Sequence, residues 1–173
     1  MKLNYLKSII LGSTLLVALG SCSVATETVE FEAPVQTFEF EDIYEGGGNT
    51  ATVEINMKEL LAANESLSQD NMESAVLKGF TVSKNDSLAL SELKGIKISL
   101  MCDELDMIDV ALKTGMTETG NTVELEILKD VDVSEYLSKD IVYVIMDTDY
   151  AVDKETIEKF EVGINFGIEV EKK

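Results

Sequence analysis

The chain has 173 residues, with 33 acidic side chains against 14 basic ones and a net charge of −19. Every basic residue is a lysine; there is no arginine, histidine or tryptophan. Without arginine the chain lacks the bidentate fork that reads phosphate or guanine, and its negative field opposes nucleic acid, so no nucleic-acid partner is expected. Without histidine it cannot build a Ser-His-Asp triad, a Cys-His pair or an imidazole metal site. Neither a GxxxxGK[ST] loop nor a GxGxxG turn occurs, which leaves nucleotide chemistry unsupported.

At the N-terminus, Lys2 and Lys7 precede an apolar run from Ile9 to Leu19, too short to span a bilayer comfortably. Leu19-Gly20-Ser21-Cys22 follows: an aliphatic residue, two small residues and a cysteine. This order resembles the lipobox of bacterial lipoproteins. The resemblance implies residues 1–21 as a signal peptide, diacylglycerol on the Cys22 thiol, and cleavage that frees the Cys22 amine. It also implies a membrane partner, reached through that lipid. Acyl chains contribute about 0.8 kcal/mol per buried CH₂, so two or three of them make release very slow. In Gram-negative lipoproteins an aspartate after the cysteine resembles an inner-membrane retention signal. Here Ser23 follows, which implies the outer membrane if the host has one. The mature chain keeps 12 basic against 33 acidic residues, a net charge of −21. Anionic headgroups should repel such a domain, so the lipid is its expected membrane contact.

Residues 22–28 are expected to be the lipidated cysteine and a short tether, and 29–173 a single domain. Alternation dominates from there. Val29 and Phe31 alternate with Glu30 and Glu32. Pro34 interrupts, and Phe38 and Phe40 resume on the opposite parity, which predicts a bulge or break at a sheet edge. Glu45-Gly46-Gly47-Gly48-Asn49 reads as a turn. Further strands are predicted at Val53 to Asn56, Ala75 to Ser83, Gly95 to Cys102 and Met107 to Lys113, the last two joined by an acidic turn over Asp103 to Asp106. Val123 to Ile127 alternates, and Ile141 to Met146 is apolar on both faces, which suits a central strand. From Phe160 to Val170 the apolar and polar residues alternate strictly, as a strand with one wet face requires. Cys102, at period two from Ile98 and Leu100, reads as a buried thiol acting as a small hydrophobe.

Two short helices are predicted from capping-box spacing, Asn56 with Glu59 and Asp132 with Glu135. Polar loops are expected at 64–74, 84–94, 114–121 and 147–156. The expected fold is therefore all-β: an antiparallel, immunoglobulin-like sandwich of about eight strands with one or two short crossover helices.

Chemistry has few candidates. Ser91-Glu92-Leu93-Lys94 matches SxxK, but it precedes a strand instead of sitting on a helix, and reads as a solvated loop. The carboxylates Asp103, Glu104, Asp106 and Asp109 raise a hydrolase reading, which lacks aromatic platforms for a sugar. Asp147, Asp149, Asp153 and Glu158 occupy positions 1, 3, 7 and 12 of an EF-hand-like spacing. Ala151 and Val152 replace the ligand and the glycine that such a loop requires. The preferred reading is a solvated acidic loop; the alternative is a looser calcium site. Asp86-Ser87-Leu88 resembles an O-glycosylation acceptor used by some bacteria. No other cofactor is expected. Together these readings predict a non-enzymatic, lipid-anchored envelope protein with a binding or assembly role and an envelope protein as partner. A calcium- or small-ligand-binding lipoprotein is the alternative, and a carboxylate-based hydrolase a second one.

Overall fold

The computed structural model describes residues 26–64, 67–84, 90–116, 120–129 and 131–171. Cys22 and the Asp86-Ser87-Leu88 triplet lie outside the described residues. In chain order the elements are β1 (Thr26–Phe40), β2 (Gly46–Asn56), α1 (Met57–Ala62), β3 (Met72–Ser83), β4 (Leu93–Cys102), β5 (Leu105–Thr114), β6 (Thr122–Glu124), β7 (Glu126–Ile127), α2 (Ser134–Leu137), β8 (Ile141–Tyr150) and β9 (Glu158–Glu171). Every strand pair is antiparallel, in two sheets of order β1-β9-β3-β6 and β2-β8-β4-β5-β7. Their inner faces share one apolar core. The predicted antiparallel sandwich is the fold.

The strand with the strictest alternation, β9, sits between β1 and β3. Its inward residues from Phe160 to Val170 are buried, while Glu161, Asn165 and Glu169 are exposed on the other face. Pro34 does not end β1. The register with β9 shifts between Ala33 and Gln36, and this shift carries Phe38 and Phe40 to the inner face. A proline without an N–H is tolerated there because β1 is an edge strand. The tether is shorter than expected: Thr26 to Thr28 already pair with Glu171 to Glu169.

The run from Val123 to Ile127, expected as one strand, is two. β6 pairs with β3 in one sheet, and β7 pairs with β5 in the other. Between them the buried Leu125 donates its N–H to the Phe80 carbonyl, and Leu128 donates to Val110. The segment thus passes from one sheet to the other along the open side of the sandwich.

The helix boundaries follow their caps. Asn56 accepts the Glu59 N–H at 3.1 Å and starts α1. Asp132 acts differently from the predicted box. The N-cap of α2 is Val133, and Asp132 accepts both the Ser134 N–H at 2.9 Å and the Ala75 N–H at 3.2 Å, tying α2 to β3. Burial alone would raise the Asp132 pKa, but these donors outweigh it and hold the carboxyl below its usual range.

Topology sorts the connections to two ends. One end holds the start of β1, the end of β9, both helices and the tight Asp103-Glu104 turn; the Met57 N–H bonds the Asp140 carbonyl there. The far end holds the described parts of 41–45, 84–92, 115–121 and 151–157. Gly46 and Leu93 both reach Tyr150 there, and Ile43 bridges Lys154. The glycine turn is built into the start of β2: Gly46 and Gly48 adopt φ of +88° and +97°, which side chains rarely tolerate. Buried Asn49 closes it, donating to the carbonyls of Tyr44, Gly46 and Thr148 and accepting the Tyr44 N–H at 2.8 Å.

Candidate functional site on the outer face of the five-stranded sheet

Strand pairing arranges the outer face of this sheet in rows. Nearest the far end are Thr114, Gly95 and Asp149. Then come Leu112, Lys97, Asp147 and Thr50, followed by Asp109, Ser99, Ile145 and Thr52. Toward the end that bears the helices, the next row holds Met101, Tyr143 and Glu54, with Met107 beside Met101 on β5.

This corrects the expected loop at 147–156. Period two continues through Asp147-Thr148-Asp149-Tyr150, so β8 runs to Tyr150 with Thr148 and Tyr150 buried inward. Asp147 and Asp149 are outward positions of a strand. Such positions, two apart, point the same way about 7 Å apart and do not converge on one ion.

The four residues of the calcium reading have separate engagements. Asp147 accepts the Thr50 hydroxyl at 2.6 Å and pairs with Lys97 at 3.4 Å. Lys97 also reaches Asp109 at 3.5 Å, and Asp109 accepts the Ser99 hydroxyl at 2.7 Å. Burial would lower the Lys97 pKa, but the two carboxylates outweigh it and hold the ammonium above the ordinary lysine value. Asp153 accepts the Glu45 N–H at 2.6 Å at the far end. Glu158 is buried under Lys84, Lys154 at 3.0 Å and the Thr156 hydroxyl at 3.4 Å. Asp149 is the exception: its Oδ1 is buried and finds no hydrogen-bond partner among the described residues. Among those residues, no group of three or more cysteines, aspartates or glutamates is placed to hold a metal ion.

Asp149 lines a cleft of about 590 Å³, together with Lys97, Asp147, Leu112 and the glycines Gly48 and Gly95. Leu112 and the glycine backbone supply an apolar wall. The cleft has room for a small molecule beside Asp149.

The other sequence candidates are dispersed. Ser91 lies in a one-turn 3₁₀ segment, while Lys94 enters β4 and reaches Glu45 at 3.8 Å. Asp103 and Glu104 form the β4–β5 turn, with Glu104 at φ +74° and paired to Lys139 at 3.0 Å. Cys102 is free and buried, and burial pushes its thiol pKa up, which keeps it protonated and unreactive.

Two features went unread in the sequence. The first is the buried charge cluster around Glu158. Its signal is parity, because Glu158 falls on the same alternating positions as Phe160 and Val162. The second is the outward apolar row. Its signal lay in the two-faced apolar run from Ile141 to Met146, which predicted only that β8 is central, as it is.

No family model and no curated protein matches the chain. Among solved structures, it is similar to that of Cocksfoot mottle virus at 9% identity and a TM-score of 0.30, covering 100% of this chain and 98% of that one. Desmodium yellow mottle tymovirus gives 8% identity and a TM-score of 0.34, with 100% and 96% covered. Mud crab tombus-like virus gives 10% and 0.34, with 98% and 94% covered. At that level of likeness nothing about these viral proteins transfers to this chain.

Proposed function

We propose that this chain is a lipid-anchored envelope protein that acts by binding, not by catalysis, and presents the outer face of its five-stranded sheet to a protein partner. The observation that carries the reading is the contrast between the two outer faces. That of the four-stranded sheet is polar, with Glu30, Glu32, Glu161, Asn165 and Glu169 along it. That of the five-stranded sheet carries an apolar row and a cleft walled by Leu112 and glycine backbone, whereas the groove on the four-stranded sheet is lined by Glu30, Glu32, Lys78 and Asn165. Exposed apolar area that a fold does not need marks an interaction surface.

Anchoring at Cys22 fits the geometry. Thr26 begins β1 four residues later, a reach of at most about 14 Å. The end bearing α1 and α2 therefore faces the membrane, the outer one in a Gram-negative host, and the sheet stands up from it. Of the carboxylates that raised the hydrolase reading, Glu104 is paired with Lys139 and Asp109 with Lys97. A second reading, binding of a small ligand, is favoured by the cleft of about 590 Å³ and its apolar wall.

Gentle detergent extraction of the native protein, followed by mass spectrometry of what co-purifies, tests the first reading. A stoichiometric protein partner that is lost on Tyr143→Ser is expected. Recovery as a bare monomer contradicts it and favours the cleft ligand.

A further inference from the structure

The apolar row has a composition and a border that together define a partner. Met101, Met107 and Ile141 are 37%, 51% and 37% exposed. Met101 pairs with the half-buried Tyr143, and Ile141 lies on the same face of β8 one step nearer the anchored end. Met107 neighbours Met101 between the Leu100–Ile108 and Cys102–Leu105 partners. The strip therefore crosses three strands without a break. Methionines at an exposed position adapt their shape to different apolar surfaces.

The border is acidic. Glu54, Asp103, Asp106 and Asp140 are exposed around the strip, and no ion pair among the described residues engages them. The neighbouring Lys139 is already paired with Glu104 at 3.0 Å. An occupant must cover apolar area at the centre and neutralise carboxylates at the rim. A second copy of this chain would set the same carboxylates against each other, on a mature chain of net charge −21. A bilayer surface would desolvate the carboxylates without supplying cations in fixed positions.

We infer that the strip of Met101, Met107, Tyr143 and Ile141 docks a segment of another protein that is apolar at its centre and lysine- or arginine-rich at its flanks. The inference deepens the proposed binding role and rests on it. The strip lies in the half of the sheet nearer the anchored end, so the partner segment binds close to the membrane.

The test uses the mature lipidated protein in phosphatidylcholine nanodiscs, with the mass of the Cys22 peptide read first. A peptide of alternating leucine and lysine, too short to span a bilayer, is titrated by calorimetry, and the signal from empty nanodiscs is subtracted. Zero-length carbodiimide cross-linking then maps which carboxylates meet the peptide lysines. The expected result is binding that weakens at least tenfold in Met101→Ser/Met107→Ser and in Asp103→Asn/Asp106→Asn, with cross-links at Asp103, Asp106 or Asp140. Tyr44→Ser at the far end should leave it unchanged, and a leucine–glutamate peptide should not bind. Equal affinity in all variants, with cross-links spread over the surface, would mean attraction by net charge alone and overturn the inference. Phosphatidylethanolamine vesicles that bind the Cys22→Ser chain, and release it on Met101→Ser/Met107→Ser, would make the strip a membrane surface and overturn it equally. An unlipidated Cys22 peptide counts against the anchor only, since the peptide titration reads the strip by itself.

Discussion

Replacing Glu158 with alanine is expected to lower the stability of the domain by roughly 3–5 kcal/mol. Glu158 is 5% exposed at the far end of the sandwich, beneath two lysines whose side chains are 10% and 16% exposed. Lys84 lies 5.8 Å from the Phe160 ring and Lys154 lies 5.5 Å from the Tyr150 ring, so both ammoniums sit on the lid of the core. Their charge is tolerable because the Glu158 carboxylate stands between them; Glu92 supports Lys154 from the more exposed side. Removing Glu158 takes away the carboxylate that the two ammoniums share, in a site with little water, where the loss of one partner costs more than the pair itself contributed. Urea unfolding reads the effect as a lower midpoint at an unchanged slope. A change below about 1 kcal/mol would show that the far end is open to water and that the cluster behaves as a surface pair.

Tyr150→Phe is expected to move stability the other way and to alter its pH dependence. The Tyr150 side chain is fully buried, and its hydroxyl finds no hydrogen-bond partner among the described residues. A buried hydroxyl without a partner carries a desolvation cost of about 1–3 kcal/mol, so phenylalanine should be neutral or stabilising at pH 7. Burial, aided by the Glu92 charge, pushes the phenol pKa well above its ordinary value. The neutral phenol is therefore favoured by folding. Its contribution is complete below the unfolded-state value of about 10 and is lost as pH rises beyond it. The Lys154 contact to the ring survives the substitution. Alkaline titration followed by far-ultraviolet dichroism should place the unfolding midpoint of Tyr150→Phe at higher pH than that of the parent. A lower or identical midpoint would mean that the hydroxyl has a partner or that Tyr150 does not govern alkaline unfolding.

The β layers were legible because burial imposes a period of two. Phe160 to Val170 and the parity change around Pro34 were enough to identify a one-sided strand and an edge bulge, and both are present. Boundaries were harder wherever charge masked the period. Asp147 and Asp149 read as loop residues because acids are common in loops, yet the thread of Thr148 and Tyr150 continues inward between them. The handover at Leu125 was not visible for a different reason. Alternation is identical whether a strand keeps one partner or changes sheets, and only the Leu125 and Leu128 N–H bonds tell the two apart. The site was less legible than the fold. A linear spacing of carboxylates measures sequence separation, whereas the structure spreads Asp147, Asp153 and Glu158 over a sheet face, a turn and a buried cluster. The apolar strip combines β4, β5 and β8, and no local window contains its residues together.

The proposed anchoring through Cys22 underlies the proposed orientation of the sheet and the proposed place of a partner, and one experiment reads it directly. Cells expressing the chain are fed an alkyne fatty acid, and the purified protein is digested and weighed. The account predicts a mature chain beginning at residue 22, with label confined to the Cys22 peptide and abolished by Cys22→Ser. Label that persists in Cys22→Ser, or an unlabelled wild-type chain cleaved elsewhere, would contradict it.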